Sequence, residues 1–398
     1  MNHYIKPGIL FLLLTVFSCQ QNADTTLELY NQSALARERE VVRIKRSQDM
    51  SNNLMLSDQF LTQIIDFDSD GIWDQLLIQL NFSPEEKKEV QLKTAAPTQK
   101  PEIDAGTDIS FSVRADRKYS GLEITEITRY RGAKQNIRQP FFHLEGPGIE
   151  NDKVAFRTFF DPRNGKDIYG KTTERLALHE AGIDTSWHKL SDWGMDILQV
   201  GNSLGAGGLA ILEGGKLHRL GDADKSVYTK LYSGSLEAAH RIDFLGWDAG
   251  FKKIEGYEQL TLTRGKYYYS NEIGVSDTTL ILAVGMPNFK SDSFNLTRHN
   301  DVYSSVWTYA RQADGSNSKL GMAIMFENRQ YHSHSEIKEG HDIGNTNYVA
   351  FKARTRNKIC FFACWELSNP FFSKQENFEQ YLQDEAEKLS NPIQITKK

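Results

Sequence analysis

The chain has 398 residues, a formal net charge of −5, 11% aromatic residues and three cysteines. That mildly acidic balance argues against a nucleic-acid binder, which needs a basic surface to meet phosphates. The length is ample for a large core, built as one large β-rich domain or two smaller ones.

Residues 1–19 carry Lys6, an apolar run from Ile9 to Phe17 and the ending Val16-Phe17-Ser18-Cys19. A short cationic region before a brief apolar core reads as a secretory signal, because the apolar run is too short to span a membrane. The Val-x-Ser-Cys ending resembles a bacterial lipobox, so Cys19 is the expected lipidation site and the first residue of the mature chain. The protein is therefore expected at the cell envelope, lipid-anchored on the periplasmic side or the cell surface, with the membrane as a partner through that anchor. Residues 20–26 read as a polar tether. Residues 27–398 are expected to form a single β domain, since no low-complexity linker or fixed-period repeat divides them.

The first motif is Asp66-Phe67-Asp68-Ser69-Asp70-Gly71-Ile72-Trp73-Asp74. Carboxylates in alternate places before a glycine match the start of a calcium loop, where hard oxygen ligands converge around a sharp turn. Leu77 stands where the full loop needs a bidentate glutamate. Asp66, Asp68, Asp70 and Asp74 are thus candidate ligands for a structural calcium, with an Asp/Gly-rich hairpin turn as the competing reading.

Leu76, Ile78, Leu80 and Phe82 then alternate with Gln75, Leu77, Gln79 and Asn81, and Ile109, Phe111 and Val113 alternate with Ser110, Ser112 and Arg114. Period-two patterning predicts strands here and again over 260–263, 280–286, 322–327, 348–354 and 359–366. His143 lies in Phe141-Phe142-His143-Leu144-Glu145-Gly146. A histidine between aromatics beside a turn reads as a general base titrating near neutrality or as a hydrogen-bonded core residue.

The stretch from Val154 to Gly208 concentrates Arg157, Asp161, Arg163, Lys171, His188 and Trp193 among glycines and aromatics. Strand alternation puts Val154, Phe156, Thr158 and Phe160 on one face and Ala155, Arg157, Phe159 and Asp161 on the other. Arg157 and Asp161 would then lie about 13 Å apart, suited to the two ends of a sugar-sized cleft. Tryptophan stacks on the apolar face of a pyranose, while arginine and lysine bind carboxylate or sulfate. The run Val200-Gly201-Asn202-Ser203-Leu204-Gly205-Ala206-Gly207-Gly208 lacks the Gly-Lys-Ser/Thr ending of a phosphate loop and reads as a backbone turn.

His332 and His334 share the parity of one strand face, but spacing dictates no third metal ligand. Cys360 and Cys364 fall on one face of an apparent strand, about 13 Å apart, too far for a disulfide. They read as small buried hydrophobes. Near the end, Ser373 and Glu376 have capping-box spacing, and Phe378, Tyr381, Leu382 and Leu389 recur near the helical period, so a helix is expected to pack outside the sheets.

The run AFRTFFDPRNGKDIYGK, followed by WHKLSDWGMDILQVGNSLGAGG and preceded by DFDSDGIWDQ, resembles a domain-of-unknown-function family of bacterial lipoproteins that occur with polysaccharide-degrading systems. The resemblance extends over approximately Leu27 to Leu389. The family is connected with an oligosaccharide dehydratase of ulvan degradation. What it implies is a carbon–oxygen lyase that removes water from the uronic acid at the non-reducing end of an anionic oligosaccharide, leaving a 4,5-unsaturated ring. Together with the strand pattern it implies an all-β fold: a large antiparallel β-sandwich, with the mutarotase-like supersandwich as one form, and a C-terminal helix.

Such an elimination needs a clamp for the sugar carboxylate, a base for the C5 proton and an acid for the departing 4-hydroxyl. From chemistry alone, Arg157 or Arg163 is the clamp, His143 or His188 the base or acid, and Tyr169 or Lys171 the complementary proton donor. Trp193 is the stacking platform, and Asn202 helps neutralise the carboxylate. No redox cofactor is required. A polysaccharide lyase and a non-catalytic glycan-binding lipoprotein are the rival readings.

Overall fold

Alternation of apolar and polar side chains gives each strand one face to bury, and antiparallel pairing lines those faces up into layers. The computed structural model describes residues 24–398 apart from 49, 53–54, 58, 95–104, 114–120, 134–140, 184–185, 222, 291–292 and 312–316. It is an all-β sandwich with several antiparallel sheets and one helix near the C-terminus. Residues 1–19, including Cys19, lie outside the described residues. No helix among the described residues is long and apolar enough to cross a membrane.

The main sandwich has a nine-stranded sheet on one side. Its order runs Asn295–Arg298, Tyr303–Arg311, Lys319–Glu327, Asn357–Trp365, Tyr268–Val275, Lys253–Thr263, Glu237–Asp248, Ala223–Tyr232 and Glu126–Tyr130. Two five-stranded sheets face it. The first runs Gly194–Asp196, Lys166–Lys171, Val154–Thr158, Gly148–Asn151 and Thr107–Ser110; the second runs Lys216–Arg219, Leu209–Glu213, Ile281–Pro287, Thr346–Lys352 and Tyr331–Ile337. All three meet in one core, where Ile242, Leu260, Tyr269 and Phe361 pack with Phe156, Ile168, Met195, Leu209 and Val284.

A second core lies beside it. Strands Arg37–Lys45, Gln75–Phe82 and Thr62–Ile65 stack on a sheet in which the C-terminal strand Gln394–Lys397 pairs with Thr25–Tyr30. Leu76, Ile78, Leu80 and Phe82 all enter this core, as their alternation predicts. Leu77, on the opposite face, is buried as well, because it packs with Ile65 and with Leu236 of the large sandwich. The two parts are tied at the same place by Gln63, whose side chain donates to Glu237 O at 2.9 Å and accepts from Leu236 N at 2.7 Å.

The helix Gln375–Ser390 lays Phe378, Leu382 and Ala386 on Cys360, Phe362 and Cys364, on the outer face of the nine-stranded sheet. The expected capping box does not form. Ser373 closes the short turn Pro370–Ser373 instead, and the helix starts after Lys374 with no side-chain cap. Cys360 and Cys364 are free and buried, and burial pushes the Cys360 thiol up to about 11.

Candidate functional site

Strand Val154–Thr158 is buried on both faces, and its two faces have different chemistry. Val154 and Phe156 point into the main core together with Ile168 and Met195 from its neighbours. The other face carries Arg157 opposite Asp167, and Ala155 opposite Tyr169, which in turn faces Asp196. This polar face is roofed by the connection after Lys171, whose Ala177, Leu178, Ala181 and Trp193 pack on Ala155 and Tyr169. The roof is pinned by Glu150, whose carboxylate accepts from Ala177 N at 2.9 Å and Leu178 N at 2.7 Å.

Register therefore gathers a compact charged cluster. Arg157 donates to Asp167 through Nη2, which also lies 3.8 Å from Asp196 Oδ2. The guanidinium carbon stands 4.5 Å from the Phe159 ring centre, 5.4 Å from that of Tyr169 and 5.8 Å from that of Trp187. Arg157 is 6% exposed, Asp167 and Asp196 are each 2% exposed, and Tyr169 is fully buried. Two polar groups in this enclosure have no hydrogen-bond partner among the described residues: Arg157 Nε and the Tyr169 hydroxyl. Buried polar atoms are nearly always paired in native proteins, so these two stand out.

The electrostatics separate the members. Burial raises the Asp196 carboxyl well above the usual carboxylate range, and nearby Asp167 adds to the rise against the opposing pull of Arg157. Burial also lifts the Tyr169 phenol, with Arg157 opposing and the two aspartates adding. For Arg157 burial penalises the charge, but Tyr169, Asp167, Asp196 and Glu145 outweigh it, so its pKa is raised and the cation persists. His188 links the cluster to solvent, being 65% exposed with Nδ1 3.9 Å from Asp196 Oδ2.

Of the residues expected from sequence, Arg157, Tyr169 and His188 are brought together, and two others lie at the margin. Arg163 sits at the rim, paired with Glu145 at 2.7 Å and Asp161, with its guanidinium carbon 4.0 Å from the Phe159 ring centre on which Arg157 also packs. His143 is held under the roof, with Nε2 2.9 Å from Ala181 O and its ring 6.0 Å from that of Trp187.

The structure places the other expected residues away from this cluster. Lys171 shares the polar face, but it is buried and donates to Glu150 at 2.9 Å and Asn151 O at 2.6 Å. Trp193 is 5% exposed beneath the roof, 6.1 Å from Tyr169, and offers no open face for a sugar; half-buried Trp187 lies beside His188 instead. Asn202 belongs to another loop, bonded to Gly340 O and Asn345. The strand also ends at Thr158, so Arg157 and Asp161 do not form the two ends of one regular cleft. Sequence reading missed Asp167, Asp196, Glu145 and Trp187 as members. Asp167 shares the parity of Tyr169, but only register shows that it faces Arg157.

In the Asp-rich loop, Asp66, Asp68 and Asp74 each present a carboxylate oxygen within 4.8 Å of the others and could hold a metal ion. Asp70 falls outside that group and accepts from Ile72 N at 2.7 Å. Backbone amides already use part of the triad, since Gly71 N donates to Asp66 and Phe67 N to Asp74.

A family model described as a domain of unknown function (DUF4861) matches residues 29–395. A Formosa agariphila protein, "Uncharacterized protein P7", is 24% identical over 372 residues, covering 88% of this chain and 83% of that protein. Among solved structures, the chain is similar to a protein in the Glycosyl Hydrolase Family 38 from Enterococcus faecalis, with a TM-score of 0.49, 9% identity and coverage of 94% of this chain and 47% of that one. An alpha-mannosidase from Enterococcus faecalis V583 gives a TM-score of 0.46 at 8% identity, with 94% and 46% coverage. The chain spans about half the length of these two structures.

Proposed function

This chain belongs to the DUF4861 family, a domain of unknown function, and we propose that it is a carbohydrate-active dehydratase acting on the terminal uronic acid of an anionic oligosaccharide. One observation carries the reading: a buried guanidinium with an unused Nε stands beside an unpartnered tyrosine hydroxyl and a carboxyl whose pKa burial raises. A sugar carboxylate would take the free Arg157 donor, which offsets the charge that develops on the carboxylate as C5 loses its proton. His188, in its neutral form, accepts that proton. Asp196 delivers its proton to the 4-hydroxyl, the C4–O bond breaks, water leaves and the C4–C5 double bond forms. Tyr169 keeps its proton and donates a hydrogen bond within the enclosure.

Closure favours a chain end. Arg157, Asp167, Asp196 and Tyr169 are almost wholly covered, a setting that suits a terminal ring better than the middle of a threaded chain. A polysaccharide lyase would use the same elimination with a sugar as leaving group. Incubating the protein truncated after Cys19 with saturated, uronate-terminated oligosaccharides, while following ultraviolet absorbance and product mass, separates these readings. New absorbance with loss of one water from an intact chain supports the dehydratase; absorbance with fragmentation supports a lyase. Neither signal on carboxylated or sulfated substrates would leave a glycan-binding protein. Ulvan-type oligosaccharides are the first substrates to try. The same reading places the enzyme at the cell envelope through a lipid on Cys19, which palmitate labelling of the wild type against Cys19→Ala would test.

A further inference from the structure

The outer face of the nine-stranded sheet, on the far side of the main core from Arg157, forms the floor of a second cleft of about 770 Å³. Alternation builds it: Ile242, Leu260 and Tyr269 point into the core, and Arg241, Gln259, Thr261 and Ser270 point out. The strand Arg37–Lys45 contributes one wall, with Arg43 and Lys45, and the end of the helix contributes another, with Glu385 and Lys388. The volume lies within the range of small-ligand pockets, about 300–1,000 Å³.

The charge of this cleft runs against that of the whole protein. Seven lysines and arginines line it against four glutamates, in a chain whose formal net charge is −5. Each of the four glutamates is already tied. Glu237 accepts from Arg43, from Tyr232 Oη at 2.7 Å and from Thr263 at 3.0 Å. Glu385 accepts from Lys266 at 2.9 Å and Lys388 at 2.8 Å. Glu272 takes Arg356 at 3.1 Å and the Tyr257 hydroxyl at 2.7 Å, and Glu40 takes Arg37 at 3.0 Å. Lys45 and Lys358 remain exposed, with no ion pair to another described residue. Between them the floor offers neutral amide and hydroxyl groups, and Phe67 stands 48% exposed at the rim, edge-on to Tyr232.

We propose that this cleft is a second glycan-binding site, which holds a segment of a chain of sugars bearing carboxylates or sulfates. Lys45 and Lys358 meet the anions, Gln259, Thr261 and Ser270 exchange hydrogen bonds with sugar hydroxyls, and Phe67 covers an apolar ring face. The neutral polar floor and the aromatic rim favour a sugar chain over an acidic peptide, which needs cations alone. The site is separate from the elimination cluster, so the polymer is anchored on one side of the sandwich while chemistry belongs to the other.

Calorimetric titration of the protein truncated after Cys19 tests this, with oligogalacturonate, dextran sulfate, neutral dextran and poly-glutamate as probes, all in the Arg157→Lys background, which keeps a cation beside Asp167 and removes the planar fork from the other site. Oligogalacturonate or dextran sulfate should bind, more weakly as salt rises, and Lys45→Glu/Lys358→Glu should weaken that binding at least about tenfold while leaving Tm unchanged. Phe67→Ala should weaken oligogalacturonate binding and spare poly-glutamate. Affinity unaltered by the double charge reversal, tighter binding of poly-glutamate than of either anionic glycan, or no binding of either anionic glycan would overturn the assignment. With Arg157 restored, the double variant should turn over short oligosaccharides at the wild-type rate, so failure of the cleft is distinguishable from failure of the dehydratase reading.

Discussion

His188 Nδ1 stands 3.9 Å from Asp196 Oδ2, so a ring that is 65% exposed reaches a carboxyl that is almost wholly buried. That pairing gives a buried acid one route for exchanging protons with solvent. In the proposed reaction His188 holds the proton taken from C5, and the buried carboxyl must regain one after each turnover. His188→Ala is expected to lower kcat by about 10²–10⁴ and, because the side chain is exposed, to move stability by no more than about 0.5 kcal/mol. Parallel rate and thermal-melt measurements check both halves; full activity would remove His188 from the mechanism.

Arg157 is tied to fold as well as chemistry. Removing one partner of a buried ion pair costs about 3–5 kcal/mol, so Arg157→Ala alone is ambiguous. Arg157→Lys keeps a cation beside Asp167 and loses the planar fork that meets a carboxylate. The expected outcome is a folded protein with kcat/KM reduced about 10²–10³-fold, read beside its urea midpoint.

In the proposed reaction Asp196 would set the alkaline limb of activity. Its folded pKa is raised, so the acid form needed to protonate the leaving hydroxyl is present below that value and is lost as pH rises through it. The same sign governs stability: the fold favours the protonated carboxyl, and that contribution fades as pH climbs from the usual carboxylate range through the raised pKa. Asp196→Asn should abolish turnover and flatten the alkaline decline in stability. A variant that retains the wild-type pH–rate profile would assign the acid elsewhere.

A different buried group contributes to the loss of stability in acid. His240 lies in the core with neither ring nitrogen hydrogen-bonded among the described residues, near Tyr228 and the Lys166–Glu258 pair. Burial, assisted by Lys166, lowers its pKa from 6.5 to about 3. The unfolded chain takes up that proton near pH 6.5 and the folded one does not, so stability is lost as pH falls from about 6.5 towards 3. Between pH 7 and 4.5 this one group costs on the order of 2–3 kcal/mol. Urea titrations at the two pH values should show a shallower acid loss in His240→Phe than in the wild type.

The acidic triad makes a prediction about calcium. If Asp66, Asp68 and Asp74 ligate a hard cation, added calcium raises Tm in step with its concentration over Kd, and Asp68→Ala abolishes the rise. A Tm unaffected by calcium or chelator assigns these carboxylates to the turn, where backbone amides already occupy them.

Which residues face which way can be read from spacing along the chain. Side chains alternate in a strand with a period of two whatever the surroundings, so the core face of Leu76 to Phe82, the split of Val154 and Phe156 from Arg157, and the shared face of Cys360 and Cys364 were legible from spacing alone. The outer helix was legible for a similar reason, although its cap was not, because Ser373 is drawn into a neighbouring turn. Which polar residues meet depends on how the strands pair and pack. Arg157 faces Asp167 because two strands pair in one register, and a shift of a single residue would place Ile168 there instead. Lys171 and Trp193 had the right chemistry for a site, but Glu150 and the roof bury them, since what a side chain can do depends on partners that lie far along the chain.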